Sequence, residues 1–229
     1  MSTFSAPRSA PVTLSSSTES QVYALFALAL GLTTVGVFLG MTFAASLFGT
    51  PAFITMTVVE FALLLSAPFW MNRNPLNMVL FLAFPLLSGI TATPYLAYVL
   101  TGYANGGAIL LNAFGATACT ALAAAVVARS GINLQGLRGF LVFGLLGMIV
   151  FILAQLFVPA LRGSTFDILL SGFSIVLFSG FTAYDLQRIM HMGRIGANPF
   201  MLALSLYLDI FNLFMSVVRF MTTVSGRRD

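Results

Sequence analysis

The sequence contains no lysine, one cysteine, one histidine and few charges of either sign. Of its 229 residues, 7% are charged, whereas soluble domains carry about 25% charged residues. A soluble chain of this length could not cover its surface with so few charges. This argues against a soluble enzyme, a nucleic-acid binder and a disordered scaffold. The ten arginines are also dispersed and form no basic patch, so no nucleic-acid partner is expected.

Motifs for catalysis and for cofactor binding are also missing. The single Cys119 excludes an internal disulfide and any cysteine-built metal site. The sequence has no P-loop, no H-E-x-x-H motif, no Ser/His/Asp set and no GxGD signature of intramembrane proteases. We therefore expect neither an enzymatic activity nor a bound cofactor.

Long apolar runs dominate what is present, because 59% of the residues are hydrophobic. A helix needs about 20 apolar residues to cross the hydrocarbon core of a bilayer. Proline and glycine divide the runs, since they break or end helices. The pattern predicts an all-α membrane protein, a bundle of seven transmembrane helices whose main partner is the lipid bilayer. The predicted spans are residues 22–47, 52–71, 76–100, 106–128, 138–158, 166–190 and 199–221.

The remaining segments are predicted to be tails and short loops around one domain. Residues 1–20 are rich in Ser, Thr, Ala and Pro and are expected to be a disordered tail. The seven-helix domain is placed at residues 21–223 and a C-terminal tail at 224–229. Six arginines fall on the side of the N-terminus and four on the other side, which predicts a cytoplasmic N-terminus. The loops predicted to be cytoplasmic are 72–75, 129–137 and 191–198.

Three acidic residues lie inside the apolar runs: Glu60, Asp185 and Asp209. A charged side chain at the centre of a membrane helix costs about 2.5–3.5 kcal/mol even on insertion scales. Acids in such positions are therefore candidates for a functional site.

The two aspartates are predicted to lie level with each other on an antiparallel hairpin. Both are the same distance from residue 197, inside the joint between the last two spans. At about 1.5 Å rise per residue, each lies about 18 Å from that turn. Each also belongs to a polar stripe at helical spacing. The stripes consist of Ser171, Ser174, Thr182 and Asp185 on one helix and Ser205, Asp209, Asn212 and Ser216 on the other.

Two carboxylates that meet in a dry site cannot both ionise comfortably, so such a pair shares a proton. A bound cation or hydrogen bonds from the stripe hydroxyls are the alternatives. Structural interpretations also stand: Arg188 can pair with Asp185 at a helix end. Asp209 can be a structural acid that is hydrogen-bonded to Asn212 or Ser205.

These residues carry a resemblance to a known family. The stretch Ala183-Tyr184-Asp185-Leu186, with the stretch from Ser205 to Phe214, resembles the last two helices of the Bax inhibitor-1 family. Glu60, Phe69-Trp70-Met71 and Ser88-Gly89-Ile90-Thr91 also resemble the family pattern. The likeness runs over roughly residues 20–222.

The resemblance implies a pH-sensitive calcium leak channel in a bacterial inner membrane. It implies a central seventh helix and an aspartyl dyad, Asp185 with Asp209, that acts as pH sensor and gate. In bacterial members of this type, a basic residue directly after Phe-Trp-Met pairs with the dyad. Here Asn72 occupies that position, so Arg73 is the candidate for this latch, with Arg188 as the second.

Calcium is expected as the permeant ion, because carboxylate and hydroxyl oxygens suit it as ligands. Transient calcium ligands are predicted at Asp185, Asp209 and Glu60. Glu60, Asn212 and Ser205 are predicted to line the ion pathway.

Two further functions remain open. A proton-coupled cation transporter could use the same acids as a relay. A non-transporting regulator could instead bind a protease or another membrane protein, and its function would survive neutralisation of the dyad.

Overall fold

The computed structural model describes residues 17–43, 48–192 and 197–225. Within them it has eight α-helices, one 3-10 helix and no β-strand. The helices are α1 (Thr18–Thr42), α2 (Pro51–Leu65), α3 (Ala67–Trp70), α4 (Leu76–Gly102), α5 (Gly106–Arg129), α6 (Leu137–Phe157), the 3-10 helix Pro159–Leu161, α7 (Ser164–Met192) and α8 (Pro199–Ser225). Most of the predicted N-terminal tail, residues 193–196 of the last joint and residues 226–229 of the C-terminal tail lie outside the described residues.

Six helices in the described part of the chain are long and apolar enough to cross a membrane: α1, α4, α5, α6, α7 and α8. Large apolar side chains such as Phe143 and Phe157 remain exposed on the outside of the bundle. A lipid-facing surface has this composition, because lipid-exposed helices satisfy their own backbone and present apolar side chains. The prediction of an all-helical integral membrane protein is confirmed.

The predicted span over residues 52–71 is interrupted at Ser66, where α2 ends and α3 begins. Pro68 has no N–H to donate to the carbonyl oxygen of Leu64, so the helical ladder cannot continue through it. Side chains bind the neighbouring carbonyl oxygen of Leu63: Ser66 Oγ donates at 3.2 Å and Trp70 Nε1 at 3.1 Å. With 15 residues, α2 alone spans about 22 Å, less than the hydrocarbon core of about 30 Å.

Helix α1 begins earlier than predicted, at Thr18 rather than at residue 22. Ser17 caps it, because its Oγ accepts a hydrogen bond from the N–H of Ser20 at 3.2 Å. The predicted 1–20 tail therefore overlaps the first turn of α1.

Three of the connections lie at the same end of the bundle, as the alternation of helices requires. Asn198, just before α8, donates to the carbonyl oxygen of Met71 and to Asn72 Oδ1, both at 2.7 Å. Gln187, near the end of α7, is hydrogen-bonded to the connection between α5 and α6 at Ile132 and Leu134. We call this end of the bundle the dyad-side end, because it holds the α7–α8 turn and the two aspartates lie nearer to it than to the opposite end.

Helix α8 packs against α7, α1, α5 and α4. Its first half belongs to one apolar cluster, with Phe81, Ile189 and Tyr207 among its buried members. Its second half belongs to another, with Val99 and Leu213. Asp209 lies on α8 between these two apolar clusters, so it is a buried acid between two packed cores.

Candidate functional site

Asp185 on α7 and Asp209 on α8 face each other across the interface of the last two long helices. Both side chains are buried, with 4% and 6% of their surface exposed, and their carboxyl groups lie close enough to interact directly. The hairpin between them is set locally by Asn198, whose Oδ1 accepts from the N–H of Phe200 at 2.9 Å. Pro199 takes the first helical position, where its missing N–H costs nothing. The structure thus brings the two predicted acids together.

The two aspartates have unequal surroundings. Ser205 Oγ donates a hydrogen bond to Asp185 Oδ2, and Arg188 Nη1 lies 3.7 Å from Asp185 Oδ1. Asp209 Oδ2 is buried and has no hydrogen-bond partner within the described residues. A buried acceptor that is left unpaired costs about 1–3 kcal/mol, and more if it is charged. The site is therefore suited to hold a proton or a cation at Asp209.

The hydroxyl groups of the α7 stripe do not serve the acids. Ser174 Oγ and Thr182 Oγ1 each donate at 2.7 Å to the carbonyl oxygen one turn earlier, and Ser171 Oγ does so at 2.6 Å. Among the hydroxyl groups of the two stripes, that of Ser205 donates a hydrogen bond to the dyad, at Asp185. Asn212 is half-buried one turn beyond Asp209.

Glu60 belongs to a second polar cluster, between α2 and α4. Its Oε1 accepts from Ser88 Oγ at 2.5 Å and its Oε2 from Thr91 Oγ1 at 2.6 Å. Both carboxylate oxygens are therefore occupied by hydroxyl donors. Within the described residues, no three His, Cys, Asp or Glu side chains are grouped to hold a metal ion. Glu60 thus does not join Asp185 and Asp209 in one ligand set.

Tyr207 extends this second cluster across α8 to α1. Its ring is fully buried, its hydroxyl lies 2.7 Å from Thr33 Oγ1, and it also interacts with Ser88. Tyr207 stands two residues before Asp209, about 200° around the helix. Helix α8 therefore presents Asp209 to α7 on one face and Tyr207 to the Glu60 cluster on another.

The two candidate latch arginines differ in position. Arg188 is the cation at the dyad, although its distance of 3.7 Å to Asp185 is too long for a hydrogen bond. Arg73 is exposed in the turn between α3 and α4. Within the described residues, Arg188 forms an ion pair with Asp185. The geometry therefore favours Arg188 over Arg73 as the latch.

Asn198 should contribute about 1–3 kcal/mol to stability, because its side chain caps α8 and also ties down the turn after α3. We expect Asn198→Ala to lower the thermal unfolding midpoint of the detergent-purified protein. Asn198→Asp keeps the capping oxygen but loses the donor to Met71. It should therefore recover only part of the stability, and full recovery would show that the turn contact contributes nothing.

Several site residues could not be assigned from the sequence. Ser88 and Thr91 lie three residues apart, which places them on one helix face, but only the contact between α2 and α4 pairs them with Glu60. Tyr207 and Thr33 are separated by 174 residues. Gln187 gave no signal at all, since a glutamine near a helix end is usually solvated.

Fold and site together define an integral membrane helical bundle with a buried pair of carboxyl groups. Residues 16–226 match the family described as inhibitor of apoptosis-promoting Bax1. The chain belongs to this family, the Bax inhibitor-1 family.

Relatives of the chain come from bacteria, animals and viruses. An uncharacterized protein of Campylobacter jejuni is 32% identical over 215 residues, covering 90% of this chain and 88% of its own length. Mouse protein lifeguard 4 is 28% identical over 220 residues, covering 90% of this chain and 85% of its own. The Golgi anti-apoptotic protein of vaccinia virus is 28% identical over 176 residues, covering 75% and 69%.

Proposed function

We propose that the protein is a pH-sensitive, calcium-permeable leak channel of the Bax inhibitor-1 type, gated by Asp185 and Asp209. The observation that carries this proposal is the adjacent buried carboxyl pair with an unpartnered oxygen on Asp209. Such a pair is stable when it shares a proton, and it becomes a site of like-charge repulsion when that proton is lost.

Loss of the shared proton opens the gate in this mechanism. Two ionised carboxylates repel in a site of low dielectric constant, and the interface between α7 and α8 loosens. A cation that enters offsets the repulsion. Calcium suits the site, because the two carboxylates and the Ser205 hydroxyl supply the hard oxygen ligands that it prefers.

The path of the ion includes Glu60 as a separate acidic station. It lies near the surface of the bundle on α2, partly exposed, and it is held by two hydroxyl groups. Ser205 and Asn212 line the path on α8, on either side of Asp209.

Seven crossings with α8 at the centre complete this proposal. Helices α2 and α3 together contain about 20 residues when Ser66 is included, enough for one interrupted crossing. With α2 and α3 as a crossing, the connections at Met71, Ile132 and Asn198 all fall at the dyad-side end. We place this end and the N-terminus in the cytoplasm, and the protein in a bacterial inner membrane.

Cysteine labelling from one side of the membrane tests this orientation. In a Cys119→Ser background, Ser130→Cys at the dyad-side end should react with an impermeant thiol reagent only after the membrane is opened. Ala104→Cys, exposed in the turn between α4 and α5, should react in intact spheroplasts. The reverse labelling pattern would place the dyad-side end outside the cytoplasm, and equal accessibility of both positions would show that α5 does not cross the membrane.

Flux measurements test the channel itself. The purified full chain in liposomes loaded with a calcium dye should show calcium entering faster as the pH rises. Flux that saturates and is coupled stoichiometrically to a proton gradient would instead identify the proton-coupled transporter. The absence of calcium flux at every pH would refute transport.

Glu60→Gln should lower the calcium flux while leaving its dependence on pH nearly unchanged. The glutamine amide nitrogen cannot accept one of the two hydroxyl hydrogen bonds from Ser88 and Thr91, and the negative charge at this station is lost. Glu60→Asp keeps the charge and should retain more of the flux. The same liposome assay measures all three proteins, and a pH profile that flattens in Glu60→Gln would place Glu60 in the sensor rather than in the path.

The name of the vaccinia virus relative, Golgi anti-apoptotic protein, and the description of the family favour a second candidate, a non-transporting regulator of cell death or of a membrane partner. This function needs a protein contact but no proton on the dyad. A regulator would therefore keep its partner and its cellular effect in an Asp185→Asn, Asp209→Asn double variant, whereas the channel would not.

A further inference from the structure

A basic hollow lies at the dyad-side end, where the connection between α5 and α6 crosses α7. It consists of two adjoining cavities of about 430 Å³ and 350 Å³ that share lining residues. We define the basic hollow by five of these residues: Gln135, Arg138, Gln187, Arg188 and His191.

The hollow carries a concentration of positive charge that is unusual for this chain. Arg138, Arg188 and His191 all line the smaller cavity, and no Asp or Glu is among the described residues that line either cavity. Asp185 lies beside it, 3.7 Å from Arg188, and is itself buried. One acid therefore faces two arginines and a histidine, which leaves a net positive site.

The wall of the hollow is built by Gln187, a buried polar side chain whose hydrogen-bonding groups are all used. Its Oε1 accepts from the N–H of Leu134 at 2.8 Å, and its Nε2 donates to the carbonyl oxygens of Ile132 at 2.6 Å and Ala128 at 3.4 Å. Gly131, with φ of 84°, allows the chain to turn into this position. The connection is thus held against α7 before any ligand binds.

The basic groups keep donors to offer. His191 donates from Nδ1 to the carbonyl oxygen of Gln187 at 2.8 Å, so Nε2 is the ring nitrogen left for a ligand. That nitrogen donates to an oxyanion when the ring carries both protons, and otherwise it accepts from a hydroxyl group of the ligand. Arg188 is 26% exposed and only loosely paired with Asp185. Its planar guanidinium, like that of exposed Arg138, matches the oxygen atoms of a phosphate group in a two-pronged contact.

We propose that the basic hollow binds a phosphate-type oxyanion through Arg138, Arg188 and His191. Its place at one end of a membrane-spanning bundle allows two sources of this chemistry, the headgroup of an anionic phospholipid or a free phosphate compound. Arg188 touches both the proposed ligand and Asp185, so this residue joins the new site to the aspartate pair.

Thermal unfolding of the full chain in a neutral detergent measures this binding independently of ion flux. The probes are dihexanoyl phosphatidylglycerol, dihexanoyl phosphatidylcholine as the uncharged control, and inorganic phosphate. A ligand that binds the folded state raises the unfolding midpoint, by an amount that grows with the logarithm of its concentration relative to its Kd. We expect a rise with phosphatidylglycerol that is absent with phosphatidylcholine.

Arg138→Gln and Arg188→Gln should each weaken this binding about tenfold, because each removes a charge-assisted hydrogen bond. Arg73→Gln removes the same charge at the same end but outside the hollow, and it should leave the affinity unchanged.

Stabilisation by phosphate as well as by phosphatidylglycerol identifies the phosphate group itself as the ligand, and stabilisation by phosphatidylglycerol alone identifies the lipid headgroup. An equal response to phosphatidylcholine, an equal loss in Arg73→Gln, or no response to either anion would overturn the proposal. Arg138 does not touch the dyad, so its variant remains informative if Arg188→Gln fails to fold.

Discussion

Asp209→Asn should remove most of the rise in calcium flux with pH that the wild-type protein is expected to show in proteoliposomes. Asp209 is the more sensitive member of the pair, because its buried Oδ2 has no partner in the described residues. With asparagine there, the site can carry only one negative charge at any pH. The repulsion that opens the interface between α7 and α8 is then absent.

The expected size of this effect follows from electrostatics. Two unit charges about 4 Å apart repel by about 4 kcal/mol at an effective dielectric constant of about 20. If opening relieves even about a third of that energy, the closed-to-open ratio changes about tenfold. We therefore expect a wild-type flux ratio of about tenfold across the titration and a ratio near one in Asp209→Asn.

Asp185→Asn should flatten the profile as well, with a smaller effect on the resting leak. Arg188 and Ser205 already engage Asp185, so part of its charge is compensated in the folded protein. Asp167→Asn is the matched control, because it removes an acid from the first turn of the same helix, about 27 Å away along α7. It should keep the wild-type profile. An unchanged pH profile in both dyad variants would defeat the gating mechanism.

The pairing of Asp185 with Asp209 is a feature that the sequence predicts well. Helical rise is nearly constant, so two residues at equal distances from one turn lie level in an antiparallel pair. The polar stripes then orient them, since residues at helical spacing share a face. The boundaries of α4, α5 and α6 were likewise close to prediction, because Pro and Gly mark the ends of long apolar runs there.

The surroundings of the aspartates were less predictable, because they depend on how non-adjacent helices align. A stripe hydroxyl can bind a carboxylate or its own backbone one turn earlier, and on α7 the backbone is the acceptor. The position of Glu60 opposite Ser88 depends on the register of α2 against α4. The register differs from that of one continuous helix over residues 52–71, because the helix is interrupted at Ser66, where Pro68 ends the regular ladder of hydrogen bonds.

Glu60 and the dyad lie at separate positions, so in the proposed channel the three acids are two calcium stations and not one ligand set. The sequence allowed one ligand set of three acids, and the structure divides them between two faces of α8. Tyr207, which reaches Thr33 and Ser88, lies on the same helix as Asp209. A rotation or tilt of α8 that separates Asp209 from Asp185 would therefore also disturb the Glu60 cluster. This geometry gives a physical route by which the two acidic stations can open together.

Gly36→Ala and Gly89→Ala should each destabilise the bundle by about 3 kcal/mol or more, which is the upper part of the usual cost of overpacking. A Cβ atom at Gly36 would lie 2.2 Å from the carbonyl oxygen of Leu86, and one at Gly89 would lie 2.2 Å from the carbonyl oxygen of Thr33. Backbone atoms cannot move aside as flexible side chains can. Helices α1 and α4 would have to separate along their whole contact.

Gly31→Ala is the control within the same helix α1, because a Cβ atom there meets nothing within 4 Å. It should leave stability unchanged or raise it by up to about 1 kcal/mol, since alanine favours helix more than glycine does. Thermal unfolding in detergent, with the yield of monodisperse protein, measures all three variants. Thr33 binds Tyr207, so the calcium flux of any Gly89→Ala protein that folds should change as well. If Gly36→Ala and Gly31→Ala were equally stable, α1 and α4 could not be in the close contact that Gly36 and Gly89 make here.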